Sequence, residues 1–156
     1  MADVTIALAV HVLAIVLWIG GVAMVTTVLL PAVRGVASPA ERIALFAAIE
    51  RRFARQARGT TLLAGASGFY MVYRLNLWRD FAAAEDWWLG AMAALWLLFT
   101  LLLFVAEPLF LERRIAARAR RDPDGTFALL QRLHLVLLAL SLATILGAVA
   151  GSHGFG

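Results

Sequence analysis

Apolar residues run almost unbroken through four stretches of the chain, roughly Val4 to Ala32, Gly59 to Leu77, Trp87 to Leu111 and Ala128 to Ala150. A helix rises about 1.5 Å per residue, so each stretch is long enough to cross a hydrocarbon core about 30 Å thick. The pattern predicts an all-α integral membrane protein, a four-transmembrane-helix antiparallel bundle forming a single domain over residues 1–156.

Polar positions between the stretches predict where helices begin and end. Ser38, Pro39 and Glu41 combine a capping hydroxyl, a proline at the first helical position and an acid three residues after the cap, which together start a helix. Nothing between Pro39 and Tyr73 breaks it, so a basic helical extension is expected to feed directly into the second stretch. The third helix is expected to run past the membrane through ERRIAARARR, until Asp122, Pro123, Asp124 and Gly125 impose a turn.

Composition supports the membrane reading, since 63% hydrophobic against 15% charged residues lies far from the balance of a soluble domain. The opening MADVTIALAV is acidic and runs on too long for a signal peptide, so the first stretch is expected in the mature protein. The absence of cysteine excludes disulfides, iron–sulfur clusters and thiolate chemistry.

The basic residues are all arginine, and their placement orients the chain. Arg34, Arg42, Arg51, Arg52, Arg55 and Arg58 follow the first stretch, and Arg113, Arg114, Arg118, Arg120, Arg121 and Arg132 lie around the junction of the third and fourth. The remaining loop holds only Arg74 and Arg79, beside Asp80, Glu85 and Asp86. By the positive-inside rule the arginine-rich side is cytoplasmic and both termini face outward, as expected in a bacterial inner membrane. Those arginines stand where orientation requires them, so the expected partner is the lipid bilayer and no nucleic acid. Trp78, Trp87 and Trp88 read as interfacial anchors. Gly59, Ala64, Gly65 and Gly68, with Gly147 and Gly151, permit close helix approach.

Candidate chemistry follows from depth along alternating helices. His11 lies about 10 Å inside the outer interface at ~1.5 Å per residue, level with Tyr70, Met71 and Met92, with His153 above them. His11, Met71, Met92 and His153 mix imidazole and thioether, a ligand set suited to heme iron or copper. Arg74 is a candidate to hold a carboxylate such as a heme propionate. A second polar site comprises His134 and Glu107 near the cytoplasmic side. Glu107 needs a partner in an apolar run, either His134 or, by reaching to the interface, Arg113 or Arg114. On this count His11 and His134 are separated by roughly 10 to 20 Å along the membrane normal, so they are not expected to ligate one iron. No nucleophile beside a base, paired aspartates or phosphate loop occurs, and hydrolysis and phosphoryl transfer are not expected.

Residues 11–34, HVLAIVLWIGGVAMVTTVLLPAVR, resemble the first helix of the copper-resistance D-like family of small bacterial membrane proteins. The shared features are His11, Trp18 seven residues on, Gly20 and Gly21, and the proline of LLPAV. A similar His-x6-Trp start occurs in the bacterial membrane-bound protoporphyrinogen oxidase family, regarded as heme binding through that histidine. The oxidase pattern of a lysine-bearing third helix and an Asn-Glu-x-Pro opening to the last is absent here, so its activity is not carried over. The resemblance implies His11 as a candidate ligand.

The leading expectation is a heme b or other redox-metal protein of the membrane, His11 its principal ligand and the outer group completing the site. It would pass electrons to a membrane quinone or periplasmic partner, and as an enzyme would be an oxidoreductase. The alternatives are copper transport or handling, with His11 and Met92 as metal ligands beside Met71, and a non-catalytic accessory subunit or scaffold docking its own copy or a larger complex.

Overall fold

The computed structural model describes residues 1–35, 38–82 and 86–153, and within them the fold is entirely helical. Four long helices follow one another: α1 (Ala2–Arg34), α2 (Pro39–Leu75), α3 (Trp87–Arg121) and α4 (Pro123–Ser152). By length and composition α1, α3 and α4 can each cross a membrane. The sequence pattern anticipated four such helices. α2 is long enough but not apolar enough, because Thr60, Thr61, Ser67, Tyr70, Tyr73 and Arg74 interrupt its second half.

The expected start of α2 is present, with Ser38 in extended conformation and its Oγ accepting from the Glu41 amide at 3.5 Å. The helix then runs unbroken to Leu75, and Asn76 closes it in the left-handed conformation, φ 57°. The expected turn between α3 and α4 is shorter than the four-residue signal suggested. Only Asp122 leaves helical geometry; its Oδ1 accepts from the Gly125 amide at 2.9 Å, and Pro123 is already the first residue of α4. An aspartate followed by proline is itself a helix start, so α4 begins five residues before Ala128. Glu85, read as part of the outer loop, lies outside the described residues.

Two helices carry π-helical insertions, Val25–Leu29 in α1 and Leu102–Leu111 in α3. Pro31 follows the first and Pro108 lies in the second. Proline removes a backbone donor and clashes with the preceding turn, and the wider π turn is one way a helix absorbs that defect without breaking.

α1 and α2 form the most extensive pair and run antiparallel, as the contacts His11 to Ala64, Leu17 to Gln56 and Gly21 to Phe53 show. α3 and α4 form the second pair. The core has two clusters. The first gathers Ala14, Trp18, Val22, Ala57, Ala64, Phe99 and Leu138, with the Trp18 ring edge-on to Phe99 at 4.8 Å. The second, toward the arginine-rich end, joins Val25, Leu30, Val33, Phe46, Phe127 and Leu130.

The glycines expected to let helices approach do so by seating rings. Gly21 faces the Phe53 ring, Gly65 the Trp96 indole, Gly68 the His11 imidazole, Gly147 Trp87 and Gly151 Trp88. Trp87 and Trp88 therefore bind α3 to α4 as well as marking an interface, while Trp78 is exposed and stacks on Phe81.

Candidate functional site

His11 lies on the face of α1 that meets α2, where Gly68 leaves room for its ring. An added Cβ at Gly68 would stand 3.0 Å from His11 Cε1. The His11 Nδ1 donates to the Ala64 carbonyl oxygen at 2.8 Å and also lies 3.2 Å from Ser67 Oγ. Ser67 in turn donates to the Leu63 carbonyl at 2.6 Å. A carbonyl can only accept, so the proton is fixed on Nδ1 and the lone pair on Nε2. That tautomer is the one a histidine adopts when its other nitrogen ligates a metal.

Met71 and Met92 are half-buried, and His153 is exposed with its Nδ1 against the Val149 carbonyl at 2.8 Å. The polar contacts of His11 go to Ala64 and Ser67. Arg74 does hold a carboxylate, but it is the chain's own Asp3, at 2.6 Å, with Tyr70 donating to the same carboxylate at 2.9 Å. Among the described residues no three His, Asp or Glu side chains are grouped to hold a metal ion.

Two buried polar atoms near the centre have no hydrogen-bond partner among the described residues, Trp18 Nε1 and Thr61 Oγ1. Trp18 is one helical face on from His11, and Thr61 lies between Ala57 and Ala64, which pack in the same cluster as Trp18.

His134 and Glu107, expected to form a second polar site, each pair with a different residue of α2. His134 Nδ1 donates to the Leu130 carbonyl at 2.9 Å, and its Nε2 faces Glu50 Oε1 at 3.7 Å. Phe46 lies edge-on to the imidazole at 5.7 Å. Glu107 pairs with Arg58 at 3.2 Å, so neither His134 nor Arg113 nor Arg114 is its partner. Arg58 Nε also donates to the Leu103 carbonyl at 3.0 Å. Leu103 is five residues before Pro108, so its carbonyl is the acceptor that a proline in a π helix leaves without a donor.

Glu50 and Arg58, eight residues or about 12 Å apart along α2 at ~1.5 Å per residue, thus each carry an ionisable partner, His134 of α4 and Glu107 of α3. Burial pushes the Glu50 carboxyl up to about 7, and the negative charge of Glu107 adds to the rise. At 3.7 Å His134 Nε2 and Glu50 Oε1 lie beyond hydrogen-bond reach and form a long ion pair when both are charged. Sequence reading found His134 and Glu107 but missed Glu50 and Arg58, which read as ordinary members of the basic run from Glu50 to Arg58. The helical spacing of eight residues between them, placing both on one face, was the available signal.

Two shallow hollows lie at the junction of α3 and α4, about 530 and 140 Å³; Leu130 and Leu133, beside His134, line the smaller. The chain matches no protein-family model, no curated protein and no solved structure.

Proposed function

We propose that this is a multi-pass membrane protein that binds heme b, or another redox metal, through Nε2 of His11 and takes part in electron transfer. The observation that carries this reading is the hydrogen bond from His11 Nδ1 to the Ala64 carbonyl, which orients the ring and leaves Nε2 as a donor of its lone pair. Macrocycle-bound iron needs one or two protein ligands, whereas a bare ion needs several. An oriented histidine that belongs to no three-residue His, Asp or Glu cluster among the described residues therefore fits heme better than a bare ion held by such side chains. Bound heme would supply one-electron chemistry; Ala64 and Ser67 hold the ligand ring, and Trp18 Nε1 and Thr61 Oγ1 are the buried groups free to contact a guest.

In this reading α2 is the fourth span despite its polarity. Its hydroxyl residues Thr60, Thr61 and Ser67 are buried against the other helices, while Leu62, Leu63 and Phe69 face outward. The arginine-rich end is cytoplasmic and both termini lie outside, in a bacterial inner membrane. A quinone or periplasmic protein is the electron partner, and the Glu50–His134 pair lies where a proton would enter from the cytoplasm.

The test is a reduced-minus-oxidised absorption spectrum of protein purified after heme-supplemented expression. A b-type Soret and α band that His11→Ala abolishes supports the assignment; no such band in the wild type sinks it.

A second reading rests on the same hydrogen bond. Bonds to Ala64 and Ser67 also satisfy a histidine that only knits α1 to α2, as in an accessory subunit or scaffold. In that case His11→Asn, which retains a donor, keeps thermal stability near wild type and the purified protein stays colourless.

A further inference from the structure

Where α3 leaves the apolar run, its arm and the start of α4 border two adjoining open hollows, one lined chiefly by arginines and one chiefly by aliphatic side chains. The outer one, about 530 Å³, is lined by Arg114, Ala117, Arg118, Arg121 and Asp122. The inner one, about 140 Å³, shares Arg114 and Arg118 and continues between Leu111, Ile115, Leu130 and Leu133. Residues 114, 118 and 121 recur at helical spacing on one face of α3, with 111 and 115 continuing that face toward the membrane. The lining therefore changes from cationic at the tip to apolar at the bilayer over about 15 Å, ten residues at ~1.5 Å each.

The charges at the tip are not used up by the protein. Arg114, Arg118 and Arg121 are exposed and form no ion pair among the described residues. Arg114 is held over the Phe110 ring at 5.7 Å, which steadies its guanidinium without neutralising it. Asp122 is the one acid in the lining, and its Oδ1 is engaged as the cap of α4. Three cations face one capped carboxylate, so the hollow carries a net positive charge.

We infer that this junction is a binding site for one anionic phospholipid, its phosphate among Arg114, Arg118 and Arg121 and the start of an acyl chain along Leu111, Ile115, Leu130 and Leu133. Arginine forks match phosphate oxygens, and the apolar end opens toward the hydrocarbon as an amphiphile requires. A soluble anion would use only the cationic half. The site is independent of His11 and of any cofactor there.

The test uses the full chain, delipidated in neutral detergent, with native mass spectrometry to count retained phosphatidylglycerol or phosphatidylcholine. The site predicts one phosphatidylglycerol held at least tenfold more tightly than phosphatidylcholine. Arg114→Gln with Arg118→Gln removes that preference, whereas Arg51→Gln with Arg52→Gln, which removes equal charge from exposed positions of α2, leaves affinity within twofold. Equal losses in both double variants would show diffuse attraction and overturn the site. Displacement of the lipid by an equal concentration of inorganic phosphate would overturn the acyl half. If the Arg114/Arg118 variant does not fold, the wild-type comparison decides: no preference for phosphatidylglycerol over phosphatidylcholine ends the proposal.

Discussion

The Nε of Arg58 donates to the carbonyl oxygen of Leu103 at 3.0 Å. Proline at position 108 takes one donor away from α3, and a side chain from α2 returns one to the acceptor five residues earlier, while the same guanidinium holds Glu107. A backbone defect in one helix is thereby tied to the charge of another.

Arg58→Met should lower stability by about 1–3 kcal/mol, through an unsatisfied carbonyl and an unpaired carboxylate in a partly buried setting. Glu107→Gln in the same chain should recover part of the loss, and Pro108→Ala should shrink it by restoring a backbone donor. Thermal unfolding in detergent measures the cycle; strictly additive effects would mean that Arg58 and Pro108 are not coupled.

Gly65→Ala places a methyl group 2.5 Å from the Trp96 indole, whose Nε1 donates to the Thr61 carbonyl at 2.9 Å. Displacing that ring should cost about 1–3 kcal/mol and shift tryptophan fluorescence. Gly20→Ala meets nothing within 4 Å and should be neutral or stabilising by up to about 1 kcal/mol. Equal melting temperatures for the two variants would contradict the packing.

Glu50 gives a pH dependence of defined sign. Its folded pKa is raised to about 7 from an ordinary 4.5, so the folded state binds the proton more tightly than the unfolded chain. Its contribution is fully present below pH 4.5 and is lost as pH rises through 7. His134 faces it at 3.7 Å, and the charge of Glu107 reaches it. From pH 5 to pH 8 the melting temperature of the wild type should fall relative to that of Glu50→Gln; an unchanged slope would place the titration elsewhere.

The chain contains no cysteine, so single introduced thiols report topology without background. Arg79→Cys should react with a membrane-impermeant thiol reagent from the outside, and Arg51→Cys, at an exposed position before the apolar half of α2, only after the membrane is opened. Labelling of both from one side would remove α2 as a span.

Local and compositional signals made the helices legible in the sequence. The Ser38–Pro39–Glu41 start, the uninterrupted α2 and the long apolar runs depend on residues within a few positions of one another, and those interactions survive without tertiary context. Depth counting, which rests on a nearly constant helix rise, put His134 and Glu107 toward the arginine-rich end. It could not choose partners. Glu50 and Arg58 reach His134 and Glu107 from a helix that sequence separates from them by at least 49 residues, and which faces meet depends on how four cylinders rotate against one another.

That rotation is decided by rings in glycine notches: Phe53 on Gly21, Trp96 on Gly65, Trp87 on Gly147. The same packing gives the His11 Nδ1 the Ala64 carbonyl and the Ser67 hydroxyl as partners. By itself the sequence determined a helical chain with long apolar helices, one arginine-rich end and a histidine in oil. Only the tertiary structure decided which carbonyl that histidine serves and which charges neutralise one another, because side-chain pairing between helices is a property of their packed faces and not of their spacing along the chain.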